Sequence, residues 1–366
     1  MNGISPFEYN RLVTGGNFIG RAKEVSKLTE VVQSGKNALL YGPPKIGKRS
    51  IVYNALLELE RIPYDFTICR VDFFNIRSID DMAIKFTNEL LSVFCPTSSE
   101  REEIAMQMLP GVNLKGSKEP LSDKQLQHIF TLPEKMAQKF NVRLIMYLKQ
   151  FQDITLFERP ARVFQLLEKC MAKHKMSSYV ILGDKRNAMD EIFVKRGYFR
   201  NLVIDIPIPQ ISKRVFCDYI CNSFAKGGKR AEIKQAGTIY DYVEGDPWYT
   251  QHLAEICFLL TKDILDQKTV ELGFENLINM HEYELHNTVY SLSRHQIQMI
   301  KAILDGVTKF SKSEILNKYG LNSSANVNHL KEALTKKEIV TFVKKGAVEF
   351  NDALLKTWLK DYFFAK

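Results

Sequence analysis

Gly42-Pro43-Pro44-Lys45-Ile46-Gly47-Lys48-Arg49-Ser50 is the stretch that decides how this chain folds. Its spacing, G-x-x-x-x-G-K, is that of a phosphate-binding loop. It follows the apolar run Asn37–Tyr41 and leads into a segment from Ile51 to Leu59 that reads as a helix. Strand, loop and helix in that order are the context the motif requires. In such a loop backbone N–H groups and a helix N-terminus cradle phosphate, and a lysine, here Lys48, neutralises it. The next position calls for a Ser or Thr whose hydroxyl holds Mg²⁺. Here it is Arg49. Ser50 is no substitute, because one helical step turns a side chain by about 100°. The sequence announces a nucleotide site and puts its metal chemistry in question.

Four further apolar runs match Asn37–Tyr41: Phe66–Phe74, Arg143–Leu148, Tyr179–Gly183 and Leu202–Ile206. Helical segments separate them, which predicts a parallel sheet covered on both faces. The polar stretch Pro96–Leu121 reads as an exposed insertion. After Pro209 the pattern is wholly helical to about Tyr290, punctuated by Gly227-Gly228 and Gly245-Asp246-Pro247. The last part changes rhythm. It predicts helices at Ser293–Leu304, Ser311–Lys318 (with Glu314 closing a capping box on Ser311) and Ser323–Lys336. A hairpin follows, Glu338–Lys344 and Ala347–Asn351 about Lys345-Gly346. Three helices and a two-stranded ribbon make a winged-helix arrangement.

The bulk properties set bounds. A chain of 366 residues is long enough for two or three domains. No apolar run reaches membrane length, and the N-terminus lacks a basic-then-apolar leader, so a cytoplasmic protein is expected. The cysteines at 69, 95, 170, 217, 221 and 257 are scattered and read as buried, reduced thiols, with no metal-site spacing. The net charge is +9, and residues 291–366 carry thirteen Lys/Arg against seven Asp/Glu, or +6. That balance fits an acidic partner or merely a solvated lysine surface.

Several motifs, in order, resemble those of the archaeal-type ATPase family of bacteria and archaea, in the STAND branch of the AAA+ P-loop proteins. Phe18-Ile19-Gly20-Arg21-Ala22-Lys23-Glu24 matches the entry motif, and residues 42–50 match the P-loop. Leu132–Ala137 matches the helix before the Walker B strand, and Gly245–Gln251 the G-x-P-x-Y-x-Q of the helical lid. Leu292–Gln296, Ser323–Val327 and Phe350–Leu359 match the winged-helix end. The resemblance implies an α/β P-loop core with a parallel sheet at 1–208, a helical lid at 209–290 and a winged helix at 291–366. It implies ATP or ADP as cofactor, bound by Gly42 to Ser50 together with Arg21 and Pro247.

The departures fall on the catalytic positions. Arg49 stands at the Mg²⁺ Ser/Thr. Lys149 stands where the family has the Walker B aspartate, Gln150 at its glutamate, and Asp184 in place of the serine of Gly-Ser-Lys. Together they call bound Mg²⁺ into doubt, and no residue is assigned as catalytic or as a metal ligand. Arg49 and Lys149 are able to neutralise phosphate themselves, or to pair with Asp184 or Asp72. Arg21 reaches the adenine or the P-loop, or pairs with Glu24. Arg186 is an arginine finger or a solvated arginine.

The expected function is that of a degenerate ATPase-like regulatory or scaffolding module with an unidentified protein partner. The alternatives are a working ATPase with a rearranged metal site, and a DNA-binding regulator. In the last case Asn326, Asn328, His329 and Lys331 lie on the helix that would enter the groove. Trp248, Tyr249 and Trp358 read as core.

Overall fold

The five predicted strands all form, and their order explains where a ligand would sit. The structure is a computed structural model and describes residues 5–113, 120–343 and 346–365. The chain divides into two compact units. One comprises Ala22–Pro44 and Ile51–Ile208, the other Met1–Arg21, Lys45–Ser50 and Pro209–Lys366.

The first unit alternates helices and strands. Its elements are α1 (Ala22–Gln33), β1 (Asn37–Tyr41), α2 (Lys48–Glu60, whose first turn is grouped with the other unit), β2 (Phe66–Asp72), α3 (Ile79–Phe94) and α4 (Ser98–Met108). Then come α5 (Asp123–Phe140), β3 (Arg143–Lys149), α6 (Pro160–Met171), β4 (Ser177–Gly183), α7 (Arg186–Asp190) and β5 (Val203–Asp205). The sheet order is β2-β3-β4-β1-β5, every pair parallel. All seven residues of β4 are buried, as a continuous apolar run between two helical layers should be. From β1 the chain crosses to the far edge at β2, while β5 lies on its other side. The strand progression therefore reverses beside β1, and such a switch point is where open α/β sheets bind ligands, beyond the strands' C-terminal ends.

The segment expected to be an exposed insertion is more ordered than that. It contains α4, whose Thr97 and Glu100 form a capping box, and it buries Ile104, Leu109 and Leu121. Its apolar residues are too widely spaced among polar ones to read as a face. Residues 114–119 of that expectation lie outside the described residues. The motif Leu132–Ala137 has a structural meaning in this unit. Glu134 is buried on α5, and its carboxylate accepts the backbone N–H groups of Lys175, Met176 and Ser177, at 3.0–3.1 Å. It thereby fixes the start of β4.

The second unit holds α8 (Lys213–Lys226), α9 (Ile233–Tyr242), α10 (Pro247–Leu260) and the long α11 (Gln267–Tyr290). It continues through α12 (Arg294–Leu304), α13 (Ser313–Tyr319), α14 (Ser324–Lys336), the antiparallel pair β6 (Val340–Phe342) and β7 (Val348–Phe350), and α15 (Ala353–Trp358). One continuous apolar core runs from Phe216 on α8 to Trp358 on α15. The expected box on Ser311 is corrected. α13 starts at Ser313 with Lys312 as its cap, so Glu314 falls at the second helical position, facing the helix dipole instead of closing a box. The capping box of this region belongs to α12, between Ser293 and Gln296. In the expected hairpin turn, Lys344 and Lys345 lie outside the described residues. The six cysteines form no disulfide. Among the described residues no helix is long and apolar enough to cross a membrane.

Candidate nucleotide site

The P-loop is shared between the units, Gly42–Pro44 with the sheet and Lys45–Ser50 with the helical part. At the sheet end, the Gly42 N–H donates to the Gly183 carbonyl at 3.3 Å and extends the β1–β4 ladder by one bond. Gly42, Lys149 and Gly183 therefore mark the C-terminal ends of β1, β3 and β4.

Three of the positions that depart from the family pattern are engaged there, Lys149 with Asp72 and Gln150 with Asp184. Asp72 and Lys149 are register partners, the last residues of β2 and β3, and their side chains form an ion pair. Burial pushes the Asp72 carboxyl up, but the Lys149 ammonium and the Phe74 N–H outweigh it and hold the group below the ordinary carboxylate range. Gln150 follows in the left-handed conformation, φ 54°, ψ 40°. That backbone costs a non-glycine residue roughly 1–2 kcal/mol. It aims the amide at Asp184, whose carboxylate accepts from Nε2 at 2.6 Å. Gln152 accepts the Asp184 N–H at 3.2 Å and donates to Gln150, closing a three-residue ring. Asp153 is buried and takes the Lys185 ammonium at 3.4 Å. Arg186 opens α7 and is half-buried.

On the helical side, Lys48 is buried at the N-terminus of α2 while Arg49 is exposed. Ser50 is buried, and its hydroxyl accepts the Val13 N–H at 3.2 Å. Arg21 is buried; it donates to the Ile46 carbonyl at 3.3 Å and to that of Pro209, so it reaches the P-loop. Lys45, at φ 66°, sets its ammonium over the Trp248 ring. Gly47 has φ +98°, and nothing lies within 4 Å of where a Cβ would stand.

The lid motif reads as a helix start. Gly245 has φ +68° and packs so closely on Tyr240 that a Cβ would meet its ring at 2.2 Å. Asp246 caps α10 by accepting the Trp248 and Tyr249 N–H groups, both at 2.9 Å, and Pro247 takes the first helical position. Tyr249 donates to Asp352 at 3.2 Å and Gln251 accepts from Tyr219 at 3.2 Å. Of the groove-facing candidates on α14, Asn328 and His329 are exposed. Asn326 instead donates to the Leu321 carbonyl at 3.0 Å, and Lys331 lies over the Phe310 and Phe342 rings.

The residues test differently against phosphate and against Mg²⁺. An open glycine turn, a helix N-terminus and a buried lysine suit a phosphate. The metal does not fit. In the helical unit position 49 is an exposed arginine and the Ser50 hydroxyl accepts a backbone N–H; in the sheet unit Lys149 is an ammonium already paired. Reading the sequence missed Val13 and the rings around Trp248, because contacts over such separations leave no local pattern.

Comparison with known proteins agrees with this architecture. Residues 283–361 match the family model described as "Probable winged helix domain". A Walker-type ATPase of Pyrococcus abyssi superposes with a TM-score of 0.67 at 14% identity, covering 97% of this chain and 99% of that one. The ORC1 protein of Aeropyrum pernix, solved in complex with DNA, gives 0.50 at 15% identity, covering 95% and 94%. No curated protein matches by sequence. The fold is that of a P-loop ATPase with a parallel α/β sheet, a helical region and a C-terminal winged helix.

Proposed function

We propose that the chain is a degenerate ATPase-like regulatory or scaffolding module, binding ATP or ADP without a firmly held Mg²⁺ and hydrolysing it weakly or not at all. The observation that carries this reading is the Asp72–Lys149 pair. P-loop hydrolysis relies on Mg²⁺ and on a residue that orients the attacking water. The pair puts an ammonium where the metal's carboxylate belongs, and the Gln150–Asp184 bond occupies the amide beside it. If nucleotide binds, Gly47 and Lys48 would hold its phosphates, which supply negative charge and no reactive group from the protein. Domain limits near 208 and 290 remain part of this proposal.

The test has two arms. Calorimetry with ATP and with ADP, each with Mg²⁺ and with EDTA, is expected to give the same affinity in both buffers. Phosphate release is expected far below the roughly 10 s⁻¹ typical of working enzymes. Turnover near that value, abolished by Lys48→Ala and by EDTA, would establish a functioning metal site instead.

A second reading, a winged-helix DNA binder, has its support in the +6 balance of residues 291–366 and in a structural neighbour solved with DNA. The inward use of Asn326 and Lys331 and the exposed Glu332 on α14 weigh against base readout. Tight sequence-selective binding at physiological salt, lost on charge reversal at Lys336, would favour it.

A further inference from the structure

Residues 45–50 of the phosphate loop hold three cations, Lys45, Lys48 and Arg49, and no acid. Lys48 is buried at the start of α2, whereas Lys45 and Arg49 are exposed. Among the described residues the Lys45 side chain makes no hydrogen bond and no ion pair. Its ammonium lies over the face of Trp248 instead. The Lys45 backbone is left-handed, φ 66°, which a non-glycine residue keeps only where its surroundings hold it there.

The ring that receives the ammonium is braced. Tyr9, Tyr249, His252 and His281 pack against Trp248 at interplanar angles of 70–83°. The acids at the margin of this box are already engaged. Glu255 accepts from Tyr9, Glu284 meets His281 Nδ1 at 2.7 Å, and Asp246 caps α10. Two of the box's own nitrogens, His252 Nδ1 and His281 Nε2, are buried without a hydrogen-bond partner. Lys45 thus rests on a ring face with no carboxylate to compensate its charge. All these residues belong to one compact unit, together with Gly47 and Lys48.

We propose that Lys45 is a phosphate ligand held in reserve by Trp248: without ligand the ring keeps the ammonium, and a polyphosphate bound at Gly47 and Lys48 draws it off. This rests on the nucleotide-binding reading above and gives that site its regulation. A ring quadrupole attracts a cation weakly, whereas phosphate offers formal negative charge and acceptors for the ammonium's N–H groups. The flexible four-carbon stem lets the head swing between them. The ring contact has to break first, so Trp248 acts as an internal competitor and lowers the loop's apparent affinity. The penalty is about two- to fivefold, the equivalent of a cation–π contact at an exposed site.

Calorimetry on the full chain in EDTA tests this with inorganic tripolyphosphate, which has no base to stack on a ring. Lys45→Met is expected to weaken binding about tenfold, the loss of a hydrogen bond between charged groups. Trp248→Leu is expected to tighten it by about two- to fivefold, the opposite of what loosening the start of α10 would do. In the Lys45→Met background Trp248→Leu should change nothing further. With Trp358→Phe in place, tripolyphosphate should also alter the Trp248 emission, and should cease to do so when Lys45→Met is added. If Trp248→Leu fails to fold by circular dichroism, Trp248→Phe, whose ring holds a cation less strongly, should give a smaller gain of the same sign. Unchanged or weaker binding by the Trp248 variants, or a gain that survives Lys45→Met, overturns the proposal and leaves the nucleotide reading standing. So does a parent chain that binds ADP but not tripolyphosphate. A parent that binds neither removes both.

Discussion

The Lys45 ammonium stands 3.5 Å from the centroid of the Trp248 ring. The ring has company: Tyr9, His252 and His281 pack about it with centroids 5.0–5.5 Å away. Tyr9 in turn stacks on His252 and donates to Glu255 at 2.5 Å. A residue of the phosphate loop is thus held by an aromatic box, with its backbone in a left-handed turn.

Removing that cation should be measurable. In a Trp358→Phe background, which leaves Trp248 as the chain's remaining indole, Lys45→Met is expected to alter the emission and to lower stability by about 0.5–1 kcal/mol. Burial, the neighbouring His281 and Lys45 hold His252 down to about 4. Emission in the parent should therefore titrate with a midpoint near that value, and Lys45→Met should move the midpoint upward. An unchanged spectrum and midpoint would show that the ammonium makes no energetic contact with the box.

Introducing a glutamate at position 150 should harm the fold before it helps any chemistry. The Gln150 amide donates to Asp184 at 2.6 Å, so Gln150→Glu sets two carboxylates together. A loss of about 0.5–1.5 kcal/mol is expected, the net worth of a typical hydrogen bond, since both groups are half-buried. Adding Asp184→Ser should recover most of it. A single variant as stable as the parent in urea would mean that the bond contributes nothing.

Acid should unfold the α/β unit through two groups beside β4. Burial lowers His174 to about 4, against 6.5 in an unfolded chain. Between those values the unfolded chain binds the extra proton, so stability falls as pH drops from 6.5 to 4, by up to about 3 kcal/mol. Glu134 is also depressed, because its three backbone N–H donors outweigh its burial. Its contribution is present above 4.5 and disappears as pH falls through its lower folded value. Glu134→Gln should destabilise the unit at neutral pH and flatten the lowest part of the curve. Chemical denaturation across pH 3–7 reads both.

Gly245→Ala should cost about 1–3 kcal/mol, since a positive φ and the Tyr240 ring both oppose a Cβ. Thermal unfolding of the variant checks it. A neutral result would mean that the start of α10 yields.

The fold was open to reading because its signals are local. Five apolar runs, a loop with fixed glycine and lysine spacing, and helix starts such as Ser293 and Ser323 are each legible within a few residues. The substitutions at 49, 149, 150 and 184 were legible for the same reason. Which partner each had chosen was not. Lys149 had two candidate acids, and the β2–β3 register selects Asp72 because it ends its strand on the same rung. Ser50 was set aside on helix geometry, but that its hydroxyl meets the N–H of Val13, 37 residues earlier, left no local trace. The Trp248 box joins Tyr9, Lys45 and His281, far apart in sequence, and no periodicity encodes that meeting.

The shared rung of Asp72 and Lys149 also constrains which sequences can neighbour this one. An acid at 149, introduced by itself, would stand directly across the ladder from another acid with no cation between them, an arrangement that repels. Neutralising Asp72 first would strand the lysine at the end of a buried strand. Each single step is expected to lower stability by up to about 1 kcal/mol, and a paired change to avoid the dip. The ion pair therefore couples the two positions: a carboxylate at 149 is expected to be better tolerated with a matching change at 72 than by itself.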